Sequence, residues 1–272
     1  MLMPTWTHSC TDEARDRVDS SLGMGWFVVV DVEELLGCAF QSAQELMWPT
    51  RCVVCDLPGD LLCESCRRKL PWIEQRFACP NCGAPFGRLI CTECDGSWPL
   101  RSCVCALPFS GPGAQLATSI KDDHELRLAP VIAAVMECAA YEASAWTARD
   151  DMSRCNPAGL DALCFVPATW AAFKKRGFDH MELVAKELSW LMGLPLADVL
   201  ARTPAKDQRE LGREERRINL AGTVEVVGSV EGMRLLLIDD VITTGASVCA
   251  CAEALLAHGA RSVGALALAR VW

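Results

Sequence analysis

The stretch of sequence that decides the fold reads LLLIDDVITTGAS and runs from Leu235 to Ser247. Its first four residues are apolar and predict a buried strand. Two acidic residues, Asp239 and Asp240, follow at the expected end of that strand, and Gly245 closes a short loop before a helix. In open α/β sheets, ligands bind just beyond the carboxyl ends of the strands. The stretch therefore predicts a strand, a ligand-binding loop and a helix in immediate succession.

This loop combines two kinds of ligand-binding group. Backbone amides at the start of the helix favour an anion, and the helix dipole adds about 0.3–1 kcal/mol. Glycine lets the backbone approach a ligand closely, and the two carboxylates can accept hydrogen bonds from two vicinal hydroxyls. An anion site beside a diol site describes a ribose 5-phosphate. The candidate binding residues are Asp239, Asp240, Val241, Thr243, Thr244, Gly245, Ala246 and Ser247.

A plainer interpretation of the same stretch remains open. The two acids would then only end a strand, and the two threonines would only cap a helix. The full order of strand, acid pair, Thr-Thr-Gly loop and helix favours the ribose phosphate, and Asp239 and Asp240 are then the candidate catalytic groups.

Strand and helix patterns alternate over residues 98–272. Strands are predicted at 160–167, 196–200, 234–238 and 262–269, and helices at 114–146, 179–192 and 247–258. The first of these helices should be interrupted at Pro130, and the second should begin after Asp179 as N-cap and end at Gly193. This alternation predicts an α/β fold with a mainly parallel sheet flanked by helices.

The chain has 17 cysteines, and eight of them form four C-x2-C pairs. Such a pair presents two thiolates to one tetrahedral ion, and four sulfur ligands select zinc or, less often, iron. The last two pairs repeat the spacing of the first two, which predicts two structural zinc ions, although ligation of the first pair with the third stays an alternative. We expect loss of metal to unfold this module alone. The predicted ligands are Cys52, Cys55, Cys63, Cys66, Cys79, Cys82, Cys91 and Cys94.

Composition and charge reduce the number of protein classes to which this chain can belong. A net charge of -9 argues against a protein that coats nucleic acid through bulk electrostatics. The apolar run at 22–30 is far shorter than the ~20 residues that span a bilayer, so no membrane insertion is expected. Many cysteines without a secretory signal favour a reducing cytoplasm. Three parts are predicted: a partly disordered extension at 1–49 with a helix near 32–47, a double zinc ribbon at 50–97, and the α/β domain at 98–272.

The thirteen positions from Leu235 to Ser247 resemble the 5-phosphoribosyl-1-pyrophosphate signature of type I phosphoribosyltransferases. Three further stretches resemble the ComF/GntX family, which couples a double zinc ribbon to that fold. They are the cysteine module, the Val166-Pro167 pair followed by KRGFDH at 175–180, and the basic stretch from Leu200 to Leu220. The resemblance implies a type I phosphoribosyltransferase fold preceded by a small zinc-ribbon module.

The resemblance also implies roles for further residues. A loop at 167–170 would hold pyrophosphate through its amides, and a basic loop at 203–219 could close over it. Lys121 stands where the family usually has a lysine, and Asp179-His180 replaces the family's Asn-Gln pair. Mg²⁺ would accompany the pyrophosphate substrate. The residues that would neutralise its charge, with their adjoining glycine, are Lys175, Arg176, Gly177 and Arg202, and on the basic loop Arg209, Arg213, Arg216 and Arg217.

Three functions remain open at this point. The first is a phosphoribosyltransferase that acts on an unknown acceptor. The second is a non-catalytic competence or DNA-uptake protein whose fold and zinc ribbons contact single-stranded DNA or the competence machinery. The third is a regulator that senses 5-phosphoribosyl-1-pyrophosphate without turning it over. Fold alone does not decide between them, and a homodimer is compatible with each.

Overall fold

The computed structural model describes residues 49–89, 91–94, 98–148, 150–202 and 224–272. The chain divides into two compact units, Met1–Thr50 and Arg51–Trp272, and every element discussed below belongs to the second. The helix predicted at 32–47 lies outside the described residues. Within the described residues, no helix is long and apolar enough to cross a membrane.

A sheet of four parallel strands forms the centre of the second unit, in the order β1-β6-β5-β2. A separate antiparallel pair, β3 with β4, lies outside this sheet. Strands β5 and β6 are buried along almost their whole length, as expected of strands covered on both faces. The strands are β1 (Cys103–Pro108), β2 (Ala162–Phe165), β3 (Leu200–Arg202), β4 (Val224–Val226), β5 (Arg234–Ile242) and β6 (Ser262–Arg270).

Helices cover both faces of the sheet. Alternate residues of a strand face opposite sides, so Leu236 and Ile238 pack with α2, α3 and α5, whereas Leu235 and Leu237 pack with α6. The helices are α1 (Glu64–Arg68), α2 (Pro112–Lys121), α3 (Ala129–Ser144), α4 (Trp170–Arg176), α5 (His180–Met192) and α6 (Ala246–Ala257). The predicted α/β fold with a mainly parallel sheet is confirmed.

The helix predicted at 179–192 is confirmed in its details. The Asp179 side chain accepts a hydrogen bond from the Met181 amide at 2.9 Å, and Gly193 ends α5 in the left-handed region at φ 62°. The helix predicted at 114–146 is interrupted, but the break lies at 122–128 and not at Pro130. The chain leaves the helix after Lys121 and starts a new one at Ala129, so Pro130 occupies the first turn of α3, where its missing N–H costs nothing.

Two strand predictions need correction. The strand predicted at 234–238 continues to Ile242, so Asp239 and Asp240 lie within β5, and Asp239 still pairs with Ala267 of β6. The strand predicted at 196–200 is reduced to a bridge between Leu196 and Leu163 beside β2, and β3 starts only at Leu200.

The cysteine module packs directly onto the exposed edge of β1. The Ile73 amide donates to the Ala106 carbonyl at 2.9 Å, and the Cys103 amide donates to the Pro80 carbonyl at 2.9 Å. Arg154, which is buried, donates to the Ala78 carbonyl at 2.9 Å. The module thus covers the unpaired edge of the central sheet, where free backbone groups would otherwise invite other strands.

Candidate functional site

The candidate site lies where β2 ends, opposite Ile238 and just before the acid pair of β5. The Val166 amide donates to the Ile238 carbonyl at 2.9 Å, so the segment after β2 passes beside the acid pair of β5. Thr243 and Thr244 are exposed in the loop that follows β5, and α6 begins directly after Gly245. No described side chain caps α6, so its first amides are available to an anion.

Gly245 is required for two independent reasons. Its φ of 78° lies in the left-handed region, which a residue with a Cβ rarely adopts. A Cβ atom there would also overlap the indole ring of Trp98, the residue that links the cysteine module to the α/β domain. Glycine at this position therefore lets the loop pack against Trp98, whereas the sequence had suggested only a close approach to ligand.

The two acids of β5 are both buried but differ in their partners. Asp240 accepts hydrogen bonds from His180 Nε2 at 2.9 Å and from Lys121 Nζ at 3.1 Å through the same carboxylate oxygen. Asp239 accepts one from the Asp240 amide at 3.0 Å. Burial and the adjacent Asp240 charge raise the pKa of Asp239 well above its usual range. Burial also opposes ionisation of Asp240, but the contacts from His180 and Lys121 outweigh it and lower its pKa.

These pKa shifts predict how a substitution at Asp239 changes stability. Because the folded-state pKa of Asp239 is raised, the unfolded chain gives up this proton first, and stability falls as pH rises above the ordinary aspartate range. We expect Asp239→Asn to remove this pH-dependent loss. The change in the free energy of unfolding relative to the wild-type chain should therefore be more favourable at pH 7 than at pH 5. Urea unfolding at both pH values measures it, with the exposed Asp122→Asn as control. Equal destabilisation by Asp239→Asn at both pH values contradicts the assignment.

A chain of polar contacts connects the basic helix α4 to the acid pair. Arg176 Nη1 lies 2.9 Å from His180 Nδ1, and His180 Nε2 lies 2.9 Å from Asp240. Arginine can only donate, so Nδ1 must accept and the ring proton must be on Nε2, where it donates to Asp240. His180 therefore connects a cation to a carboxylate through its two ring nitrogens. Lys121, the lysine that the family resemblance indicates, contacts the same Asp240 carboxylate from α2.

Part of the segment predicted to hold pyrophosphate already forms hydrogen bonds within the protein. The amide of Ala168 donates to the carboxylate of Asp179 at 2.6 Å, and Thr169 caps α4 by accepting from the Ala172 amide at 3.2 Å. Asp179 thus both starts α5 and fixes the loop at 167–170. A ligand held here would meet a pre-shaped loop but would not find the Ala168 amide free.

The basic candidates are arranged unequally around the site. Lys175 is exposed on α4, and Gly177 ends that helix at φ 80°. Arg176 is half-buried and turned toward His180. Arg202 ends β3, and its Nε atom is buried without a hydrogen-bond partner among the described residues. The four arginines of the basic loop at 203–219 lie outside the described residues.

The eight paired cysteines form two separate clusters. Cys52, Cys55, Cys63 and Cys66 make the first, and Cys79, Cys82, Cys91 and Cys94 the second, each with all sulfurs within 4.8 Å of one another. Sulfur separations of 3.7 Å between Cys55 and Cys63 and 3.6 Å between Cys82 and Cys91 match the ~3.8 Å edge of a tetrahedron with Zn–S bonds of about 2.3 Å. The interleaved alternative is wrong. Both clusters suit a structural zinc ion, since sulfur fills all four positions.

Two residues of the site region escaped the sequence analysis. Arg270 is a charged residue that follows seven small and apolar ones, and nothing else in the sequence marks it as part of the site. Trp98 lies between two regions of different composition. Cys103 and Cys105 share one face of β1, with their sulfurs 3.9 Å apart.

Comparison with known proteins defines the class to which this arrangement belongs. A phosphoribosyl transferase domain model matches residues 171–271, and a double zinc ribbon domain model matches residues 43–95. The first match contains β5, the acid pair and the loop before α6, and the second contains all eight clustered cysteines. The chain is thus a double zinc ribbon joined to a phosphoribosyltransferase domain.

Two relatives are similar to this chain over most of its length. "DNA utilization protein YhgH" of Escherichia coli O157:H7 is 27% identical over 234 residues, which cover 82% of this chain and 97% of the relative. "Competence protein ComFC" of Bacillus subtilis (strain 168) is 26% identical over 249 residues, which cover 86% of this chain and 93% of the relative. With both domain models matched in one chain, the resemblance to the ComF/GntX family is confirmed.

Proposed function

We propose that this protein binds 5-phosphoribosyl-1-pyrophosphate at the carboxyl ends of β2 and β5. One observation carries the proposal: two buried acids lie near the carboxyl end of β5, which leads directly into the exposed Thr243 and Thr244, then Gly245 and a helix start that no described side chain caps. The loop amides and hydroxyls would hold the 5-phosphate. Asp239 and Asp240 would accept hydrogen bonds from the two ribose hydroxyls.

The pyrophosphate would lie toward α4. The segment at 167–170 approaches the acid pair from β2, and Lys175 and Arg176 lie on the helix that follows it. Arg202, whose buried Nε has no hydrogen-bond partner among the described residues, would add charge from the side of β3. Mg²⁺ arriving with the diphosphate would neutralise its charge and use the oxygen ligands that it prefers.

If the bound ligand is turned over, the bond between C1 of the ribose and the pyrophosphate oxygen breaks, and the electron pair leaves with pyrophosphate. An acceptor atom then forms the new bond to C1. The residues would contribute position and charge, since none of the described side chains at the site is an obvious nucleophile. Lys121 and His180 hold the Asp240 carboxylate in place for the ribose.

Calorimetry with 5-phosphoribosyl-1-pyrophosphate and Mg²⁺ tests binding directly, and release of pyrophosphate with bases and amines as acceptors tests turnover. Binding without turnover by any acceptor would favour the ligand-sensing alternative. No detectable binding to the full chain would refute the proposal.

Arg176 gives a sharper prediction about ligand orientation. We expect Arg176→Ala to weaken binding of 5-phosphoribosyl-1-pyrophosphate about 10- to 100-fold, since a hydrogen bond to a charged group is worth about 1.5–3 kcal/mol. Binding of ribose 5-phosphate should fall much less, because that ligand lacks the pyrophosphate. Calorimetry with both ligands measures the difference, and Lys174→Ala, exposed on the same helix, is the control. Equal losses for the two ligands would remove Arg176 from the pyrophosphate site.

A second candidate function is supported by the relatives and by one surface feature. The relatives that cover most of this chain are named for DNA utilization and competence. Beside the candidate site, α4 exposes Trp170 and Phe173 next to Lys174 and Lys175. Aromatic rings for stacking and cations for phosphates are what sequence-tolerant single-strand binding requires. Fluorescence anisotropy with a labelled single-stranded DNA, compared between the wild-type chain and Trp170→Ala, tests this function, and absence of binding would reject it.

A further inference from the structure

Arg270 joins the second cysteine cluster to the loop between β5 and α6. It is almost completely buried, at 2% exposure. Its Nε donates to the carbonyl of Cys82 at 3.0 Å, and its Nη1 donates to the carbonyls of Thr243 at 2.6 Å and Ile242 at 3.2 Å. Nη1 also contacts the Val271 carbonyl. One guanidinium therefore holds the backbones of a cluster cysteine and of the loop at once.

Trp98 supports the same junction from a second side. Its ring centroid lies 5.8 Å from the Arg270 guanidinium carbon, a cation–π distance. The same ring fills the space that a side chain at Gly245 would need. The loop backbone is therefore held at Ile242 and Thr243 by Arg270 and enclosed at Gly245 by Trp98.

The two clusters differ in their relation to this loop. Cys82 contributes a sulfur to the second cluster while its own carbonyl accepts from Arg270. In the first cluster, the described hydrogen bonds stay within the cysteine module, such as Cys63 N to Cys52 Sγ at 3.4 Å and Cys52 N to the Leu57 carbonyl at 2.9 Å. A metal ion in the second cluster would fix the Cys82 backbone and, through it, the position of Arg270.

We propose that Arg270 is a positioning residue through which the second zinc site, and not the first, sets the conformation of the loop that receives the 5-phosphate. The inference rests on the proposed function for its ligand, but its structural part concerns the loop alone. Metal binding to the second cluster would thereby control how well the anion site is formed.

A matched pair of cysteine variants tests the difference between the clusters. Cys91→Ser and Cys63→Ser each remove one half-buried ligand, from the second and the first cluster respectively. After zinc content is measured, we expect Cys91→Ser to speed hydrogen exchange at 240–248 and to weaken ribose 5-phosphate binding about 10- to 100-fold. Cys63→Ser should leave both nearly unchanged. Equal effects of the two variants, or no effect of Cys91→Ser on the loop, would overturn the proposal.

Arg270→Met tests the connection without touching a zinc ligand. This variant should retain both zinc ions and still speed exchange at 240–248, because the loop carbonyls lose their donor. Arg234→Met, which removes a guanidinium bound to Asp161 at the opposite end of β5, is the control. Unchanged exchange at the loop, or faster exchange spread over all strands, contradicts a positioning role. Exchange is measured without ligand, so failure of ribose 5-phosphate to bind the wild-type chain would count against the proposed function alone.

Discussion

The double variant Asp239→Ala/Asp240→Ala is expected to lose detectable binding of 5-phosphoribosyl-1-pyrophosphate. A buried ligand hydroxyl left without its acceptor costs about 1–3 kcal/mol, so Asp240→Ala alone should weaken binding about 5- to 150-fold. Asp240→Asn should be milder, since the amide oxygen still accepts hydrogen bonds. Calorimetry with the donor and Mg²⁺ measures each step.

The design separates lost ligand contacts from lost folding. Asp240→Ala leaves His180 Nε2 and Lys121 Nζ without their shared acceptor, so circular dichroism must accompany each binding measurement. Asp122→Ala removes an exposed carboxylate directly after Lys121 and should bind like the wild-type chain. Unchanged affinity in the folded double variant would refute binding through the acid pair.

Loss of zinc from the second cluster is expected to lower the stability of the whole unit at 51–272, not of the cysteine module alone. A structural zinc supplies about 10–16 kcal/mol in small zinc-binding peptides, comparable with the 5–15 kcal/mol that stabilises a typical domain. The second cluster adjoins Pro80, Gly83 and Ala78, which contact β1 and Arg154. Cys79→Ser should therefore cause a large fall in the melting temperature.

Scanning calorimetry with parallel zinc analysis measures this effect. Two bound zinc ions are expected in the wild-type chain and one in Cys79→Ser. Cys138→Ser, which changes an exposed cysteine of α3 outside both clusters, should melt like the wild-type chain. A folded α/β domain with an unshifted transition in Cys79→Ser would restore the first expectation, in which loss of metal unfolds only the cysteine module.

The elements that could be predicted from sequence are those fixed by local patterns. The apolar run of β5, the N-cap Asp179 and the stop at Gly193 depend on residues within one element, so periodicity and capping rules locate them. The helix break was predicted at the wrong position because proline occurs both after the end of a helix and in its first turn. Only the packing of the neighbouring turns shows that Pro130 lies in a first turn.

The contacts that could not be predicted join residues far apart in sequence. His180 reaches Asp240 across 60 positions, and Arg270 reaches Cys82 across 188. The sequence at 175–180 marks His180 only as a departure from the family pattern. Its contact with Asp240 depends on the packing of α5 beside β5. The sequence names both acids as candidates, but their unequal environments depend on Lys121, which is supplied by α2.

The order of strands in the sheet has a consequence for how the chain folds during synthesis. Both cysteine clusters are complete by Cys94, and each closes over a short loop, so they can take up metal early. Strand β1, however, finds its neighbour only in β6, and β6 separates β1 from β5. The central sheet therefore cannot assemble until residues 262–270 have left the ribosome. Until then the edge of β1 that pairs with β6 remains open to other chains, even if the cysteine module already covers the opposite edge. This interval is therefore the period of greatest risk of aggregation.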